Sequence, residues 1–435
     1  MVSVNDYSGL TDNDIIESAI KNKQKDGIVI IPPRVCDIEP ERDFWLLDRA
    51  ILIPENTTII LQNCKIKLSD KCRDNFFRTA NCGMGIAYPE RIKNVHIKGE
   101  GLCILVGADH PRATGDGGQT LACPCPYEIE DLCKLADWIP QEDRKSKNIK
   151  FWDRHRRSYG TDFGKENESQ NSDWRSIGIL FANVHNFSIE NLRIVESHCW
   201  AISLEECAYG RVEKIDFDAC MSKMIDGMRQ NIENQDGIDI RNGCHDIIIS
   251  DITGHTGDDL IALTAIASDE IRLGGELKST HVMHSDWSRR DKNIHDIIIR
   301  NVKGYSNLCY LVRLLPANTK IWNVAIDGVV DTAPDGLNHF GCIMLGTADT
   351  AYGKNNDDGM KNITISNVIS NSREAIIVGG YISDSAISNV VNRNPECPCI
   401  SVRRENGLVN VVTSNLCCAG KDLIKQTVTP EDYPI

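Results

Sequence analysis

The sequence predicts an all-β fold, a single-stranded right-handed parallel β-helix of about ten turns, on three observations. The first is a recurrence. From residue 177 onward the segments NFSIENLRI, GRVEKIDF, DIIISDITG, HDIIIRNVKG, WNVAIDGVV, KNITISNVI, SAISNVV and GLVNVVTSN share a central apolar residue, placing Ile189, Val212, Ile249, Ile299, Ile326, Ile365, Ile387 and Val409 in one column. The intervals are 23, 37, 50, 27, 39, 22 and 22 residues. A base period near 22 with loops inserted into particular turns is the spacing of a coiled solenoid whose turns pack only on their neighbours. The second observation is a recurrent Asn or Asp at Asn191, Asp251, Asn301, Asn367 and Asn389, residue types that tolerate a left-handed bend between strands. The third is the absence of the leucine and helix pattern that the competing solenoid, a leucine-rich repeat, requires.

The elements follow in order within one predicted domain, 1–435. Residues 1–107 form the N-terminal cap and first turns. A short helix over DNDIIESAIKNKQ, capped by Asp12 or Asn13, sets Ile15, Ile16, Ala19 and Ile20 at helical spacing and covers the open end of the strand stack. Strands follow at 51–54, 58–68 and 94–107. Residues 108–176 lose the periodicity and form a long insertion carrying GDGG, CPCP, a charged run and Trp138, Trp152 and Trp174. An insert of that length is expected to wall a cleft. Core turns resume over 177–415 and end in a tail, 416–435.

Composition removes several function classes. The formal charge of −14 argues against nucleic acid or an anionic membrane as partner. With 41% hydrophobic and 25% charged residues and no apolar run of about 18 residues, no bilayer span is expected. The first residues, MVSVNDYSGLTDNDII, have neither the basic nor the apolar region of a secretory signal, so a cytoplasmic location is expected. Of the eighteen cysteines, Cys123-Pro-Cys125, Cys397-Pro-Cys399 and Cys417-Cys418 lack zinc-site spacing. Others, including Cys199, Cys207, Cys220, Cys244, Cys309 and Cys342, sit in or beside apolar runs, where reduced thiols pack as small hydrophobes.

Chemistry concentrates between Asn234 and Leu263, NQDGIDIRNGCHDIIISDITGHTGDDLIAL. Asp236 lies in one strand-like run, and Asp258 and Asp259 precede the next, 22 residues on from Asp236 to Asp258. One turn apart, these carboxylates stack at roughly 4.8 Å on one face of a sheet. Like charges so close raise at least one pKa and keep a carboxyl protonated. Adjacent residues of a regular strand face opposite ways, so Gly257 is expected to let the backbone leave strand geometry before LIAL. Asp239 reads as a ladder or turn group.

The segment IGILFANVHNFSIENLRIVESHCWAISLEEC, followed by NQDGIDI and TGDDLIAL, resembles the β-helical glycoside hydrolases of the polygalacturonase type, glycoside hydrolase family 28. The likeness covers about residues 177–330. The resemblance implies Asn234 as a substrate-binding residue, Asp258 as the general acid that protonates the glycosidic oxygen, and Asp236 and Asp259 as the groups that hold and deprotonate the attacking water. It implies a site histidine too, taken as His281, with His284 and His255 as alternatives. Arg313 matches the family's sugar-gripping arginine, while Leu315 stands where the family carries a lysine; Arg241, Arg289 or Arg290 are candidates to compensate, or the sugar is neutral. Trp200 also matches the family and is expected to pack in the core. The implied activity is inverting hydrolysis of a pectin-type or related poly- or oligosaccharide, exo-acting if the inserts block the groove, with no metal and no cofactor. The rivals are a calcium-dependent β-helical polysaccharide lyase and a non-catalytic carbohydrate-binding β-helix.

Overall fold

The computed structural model describes residues 1–35, 41–72, 74–83, 86, 89–111, 113–115, 119–120, 174–225, 227–267, 271–273, 276–278, 291–334, 337, 340–347, 355–418 and 423–426. The chain is an all-β right-handed parallel β-helix. It comprises two compact units, one of Met1–Ser203, Asp218–Gln235 and Leu273–Ser285, the other of Leu204–Phe217, Asp236–Arg272 and Asp286–Ile435.

In the first unit the helix spans Asp12–Lys21, and its cap is Thr11 rather than Asp12 or Asn13. The Thr11 hydroxyl accepts from the Asp14 amide and the Asp14 carboxylate accepts from the Thr11 amide, a reciprocal capping box. Asp12 and Asn13 are buried because they fasten the helix to the strands. Asp12 accepts from the Leu46 amide and pairs with Arg34 and Arg42, and Asn13 bonds Arg49 and Asp48. Parallel strands then stack Val29 on Ile59, Ile59 on Ile97 and Ile97 on Ile189, all fully buried. Trp174, Leu180, Cys199 and Trp200 form a separate core cluster, so Trp200 packs as expected.

The second unit holds two sheets. In one, Ile249, Ile299, Ile326, Ile365 and Ile387 are register partners in successive strands. The predicted column ends one strand early, because Ile387 pairs with Thr413, and Val409 pairs with Ser383. The other sheet stacks Ile238, Ile261, Val312, Ile343, Ile376 and Ile400. Burial of one such aliphatic side chain contributes about 1.5–3 kcal/mol. All described cysteines are free thiols, most of them buried.

The recurrent Asn and Asp residues do make the bends. Asp251, Asn301, Asn367 and Asn389 have φ of 58°, 55°, 58° and 54°, and their side chains form a ladder: Asn301 donates to Asp251 at 3.1 Å, Asn389 to Asn367 at 3.0 Å and Asn415 to Asn389 at 2.9 Å. Asn367→Ala is therefore expected to lose both the strain-tolerant residue and its bonds to Asp327 and Asn389, at about 1–2 kcal/mol. Asn367→Gly should recover the conformational part only; urea unfolding midpoints of the two variants check this order.

Candidate active site

The strand Ile238–Arg241 pairs with Ile261–Ile266, Ile238 opposite Ile261. One turn is thus 23 residues here, which aligns Asp236 with Asp259 rather than with Asp258. The Gly237 amide donates to the Asp259 carbonyl at 2.9 Å, and the Ile238 amide to the Leu260 carbonyl at 3.0 Å. Gly237 has a steric reason to be glycine: a Cβ there would lie 2.4 Å from the Leu260 carbonyl oxygen. Gly237→Ala is expected to push Asp236 away from Asp259 and to destabilise this turn by about 1–3 kcal/mol, measured as a lowered urea unfolding midpoint.

Asp258 and Asp259 sit before the strand that begins at Ile261, in a loop closed by their own bonds. The Thr256 hydroxyl donates to the Asp258 carbonyl at 2.7 Å, and the Asp259 amide to Asp258 Oδ1 at 3.0 Å. Gly257 has no positive φ, so these turn bonds, not glycine freedom, take the pair out of strand alternation. Asp258 is half-buried; Asp259 is 2% and Asp236 7% exposed. Asp259 Oδ1 accepts the Tyr310 amide at 3.1 Å and Oδ2 accepts Arg313 Nη1 at 3.3 Å. Burial pushes the Asp259 carboxyl up to about 7, against the opposing pull of Arg313 and with a further push from Asp258.

Arg313 and Asp239 share one register row through Ala262, and Arg241 and Leu315 share the next through Thr264. Asp239 is a buried strand residue. Leu315 is buried with Ile266 and Ala317, so the position that carries a lysine in the resembled family is apolar wall here. The Arg313 guanidinium, besides its bond to Asp259, lies 5.8 Å from the Tyr310 ring centre.

Asn234 belongs to the first unit and has φ of 49°. Its neighbour Gln235 is a buried anchor, accepting the Met221 amide at 2.9 Å and donating to the Ser197 carbonyl at 2.6 Å. His255 lies in the strand His245–Thr256 and stacks on Tyr305 with ring centres 5.0 Å apart. His281, His284, Arg289 and Arg290 lie outside the described residues, as do Trp138, Trp152 and most of the 108–176 insertion.

Two groups missed by sequence reasoning are Cys309 and Tyr310. The segment 306–310 is stitched to the aspartate loop by the Asn307 amide and side chain, both donating to the Thr256 carbonyl at 2.9 and 2.8 Å. Its Cys309 sulfur and the carboxylate oxygens of Asp258 and Asp259 lie within 4.8 Å of one another. Among the described residues this donor set is two carboxylates and a thiol, fewer oxygens than the about six to eight that calcium takes. Burial and the two negative charges hold the Cys309 thiol far above its usual range, hence protonated.

Residues 157–303 match the model of glycosyl hydrolases family 28, a span that includes Asn234, Asp236, Asp258 and Asp259. The chain is family 28-like. A polygalacturonase from Erwinia carotovora ssp. carotovora superposes with a TM-score of 0.54 at 13% identity, covering 98% of this chain and 94% of that one. The Streptococcus pneumoniae surface adhesin PfbA gives a TM-score of 0.52 at 13% identity, over 97% and 91%. The tailspike of E. coli bacteriophage HK620, solved with a pentasaccharide, gives 0.51 at 12%, over 98% and 64%. At these identities the family 28-like chain shares a fold with all three. No curated protein sequence matches it.

Proposed function

We propose that this chain is an inverting glycoside hydrolase acting on a pectin-type or related poly- or oligosaccharide. One observation carries the reading: the Ile238–Ile261 register and the Gly237 amide bond to the Asp259 carbonyl set Asp236 one turn from Asp259, with Asp258 next to Asp259 in the same loop. In the loop, carboxylate oxygens of Asp258 and Asp259 come within 4.8 Å of each other, an approach of like charges that raises the cost of ionising both. In the mechanism Asp258, the most accessible of the three, gives its proton to the leaving glycosidic oxygen. Asp236 and Asp259 hold a water on the opposite face of the sugar and take its proton as it attacks the anomeric carbon. Arg313 and the Tyr310 amide orient the Asp259 carboxylate.

A second reading is a β-helix that binds glycan without cutting it; among the neighbours on this fold are a surface adhesin and a tailspike solved with a pentasaccharide. A glycan-panel digest separates the readings. New reducing ends without ultraviolet absorbance mark hydrolysis, an unsaturated uronide absorbance marks a lyase, and binding without any new end marks a non-catalytic protein.

A further inference from the structure

We propose that the Cys309 thiol donates a hydrogen bond to the Asp258 carboxylate and is a positioning residue of the hydrolytic site. The inference rests on the hydrolase reading in one respect, that Asp258 is the proton donor. The contact itself does not depend on it.

The local fold aims the thiol. The Ser306 hydroxyl, fully buried, accepts the Leu308 and Cys309 amides at 3.3 and 2.8 Å, closing a tight turn before the strand Tyr310–Ala317. Asn307 ties the same turn to Thr256, whose hydroxyl holds the Asp258 backbone. The Tyr310 amide is committed to Asp259, which leaves the preceding side chain directed at Asp258. There the sulfur lies within the 4.8 Å cluster and in hydrogen-bonding reach of that carboxylate. Behind it, Tyr310, Met344, Ile377 and Phe340 form an apolar backing.

The charged groups facing the thiol are Asp258, Asp259 and Arg313. Burial foremost, and then the negative charge of Asp258 and Asp259 when ionised, outweigh Arg313 and favour S–H over thiolate, so the sulfur is a donor and a poor nucleophile. A donor fixed against Asp258 acts when that residue releases its proton to the leaving group, because it stabilises the carboxylate as its charge develops. It also confines Asp258 to one rotamer.

Two arms test the proposal. In the first, iodoacetamide labelling of Cys309 is followed by peptide mass spectrometry between pH 7 and 10 in the wild type, Asp258→Asn and Asp258→Ser. Cys342, fully buried in the same unit, reports any general opening. Loss of the facing charge should speed Cys309 labelling about tenfold at a given pH while Cys342 stays slow. Unchanged Cys309 labelling with Cys342 still protected overturns the contact. In the second arm Cys309→Ala should lower kcat about tenfold with KM unchanged and shift the alkaline limb of the kcat profile, and Cys309→Ser should restore both. Equal loss in Ala and Ser, or a change in KM alone, overturns the positioning role. If no glycan is cleaved while the labelling arm behaves as expected, the hydrolase reading fails and the thiol contact stands.

Discussion

Asp258→Asn is expected to lower kcat about a thousandfold while the protein stays folded. Asparagine keeps the shape of the side chain and its carbonyl oxygen, so the Asp259 amide still finds an acceptor where Oδ1 was. What disappears is the ability to deliver a proton, a contribution of about 10²–10⁴ in rate for a positioned general acid. Circular dichroism and the urea midpoint check folding, and reducing-end release checks turnover. An active Asp258→Asn protein would remove Asp258 from the role of acid.

Arg313→Met moves the acidic limb of activity to higher pH and makes stability more pH-sensitive. Asp259 is displaced to about 7 mainly by burial, and the Arg313 guanidinium is the cation that pulls it down. Removing that cation raises it further. A base must be ionised, so the variant loses activity at pH 7 and regains part of it as pH rises. The stability sign follows from the same displacement. Because folded Asp259 holds its proton more tightly than the unfolded chain does, its favourable contribution is complete below about pH 4 and is lost as pH climbs through about 7. In Arg313→Met that loss continues above 7. At pH 8 the variant should be less stable than the wild type by roughly 1.5–3 kcal/mol, the worth of a charged hydrogen bond, and nearly equal to it at pH 5, where a protonated Asp259 needs no cation. Urea midpoints at the two pH values measure this; an equal deficit at both would show that Arg313 acts through packing alone.

Much of this was legible from residues because a parallel solenoid repeats one decision per turn. Each turn spends one inward position on an aliphatic residue, and Ile249, Ile299, Ile326, Ile365 and Ile387 could be lined up without knowing the loop lengths. The alignment failed at Val409 because Leu408, Val409, Val411 and Val412 offer several equivalent choices and the true partner, Thr413, is not aliphatic. The same one-residue ambiguity paired Asp236 with Asp258 instead of Asp259. The helix cap was misread because Asp12 and Asn13 are cap-like residues used for long-range bonds, information that lies 22 to 36 residues away. Cys309 and Tyr310 were illegible for a related reason. Tyr310 meets Asp259 across 51 residues, an interval swollen by the insertion after Ile266, so the turn could not be counted. Their signal was nonetheless present: Arg313 was singled out in the sequence, and Tyr310 lies three residues before it.

The most direct test is the configuration of the first product. Proton NMR during early digestion of a substrate from the panel should show the anomer opposite to that of the cleaved bond, followed by slow mutarotation, as direct displacement by water requires. First appearance of the retained anomer would contradict the mechanism built on Asp236, Asp258 and Asp259.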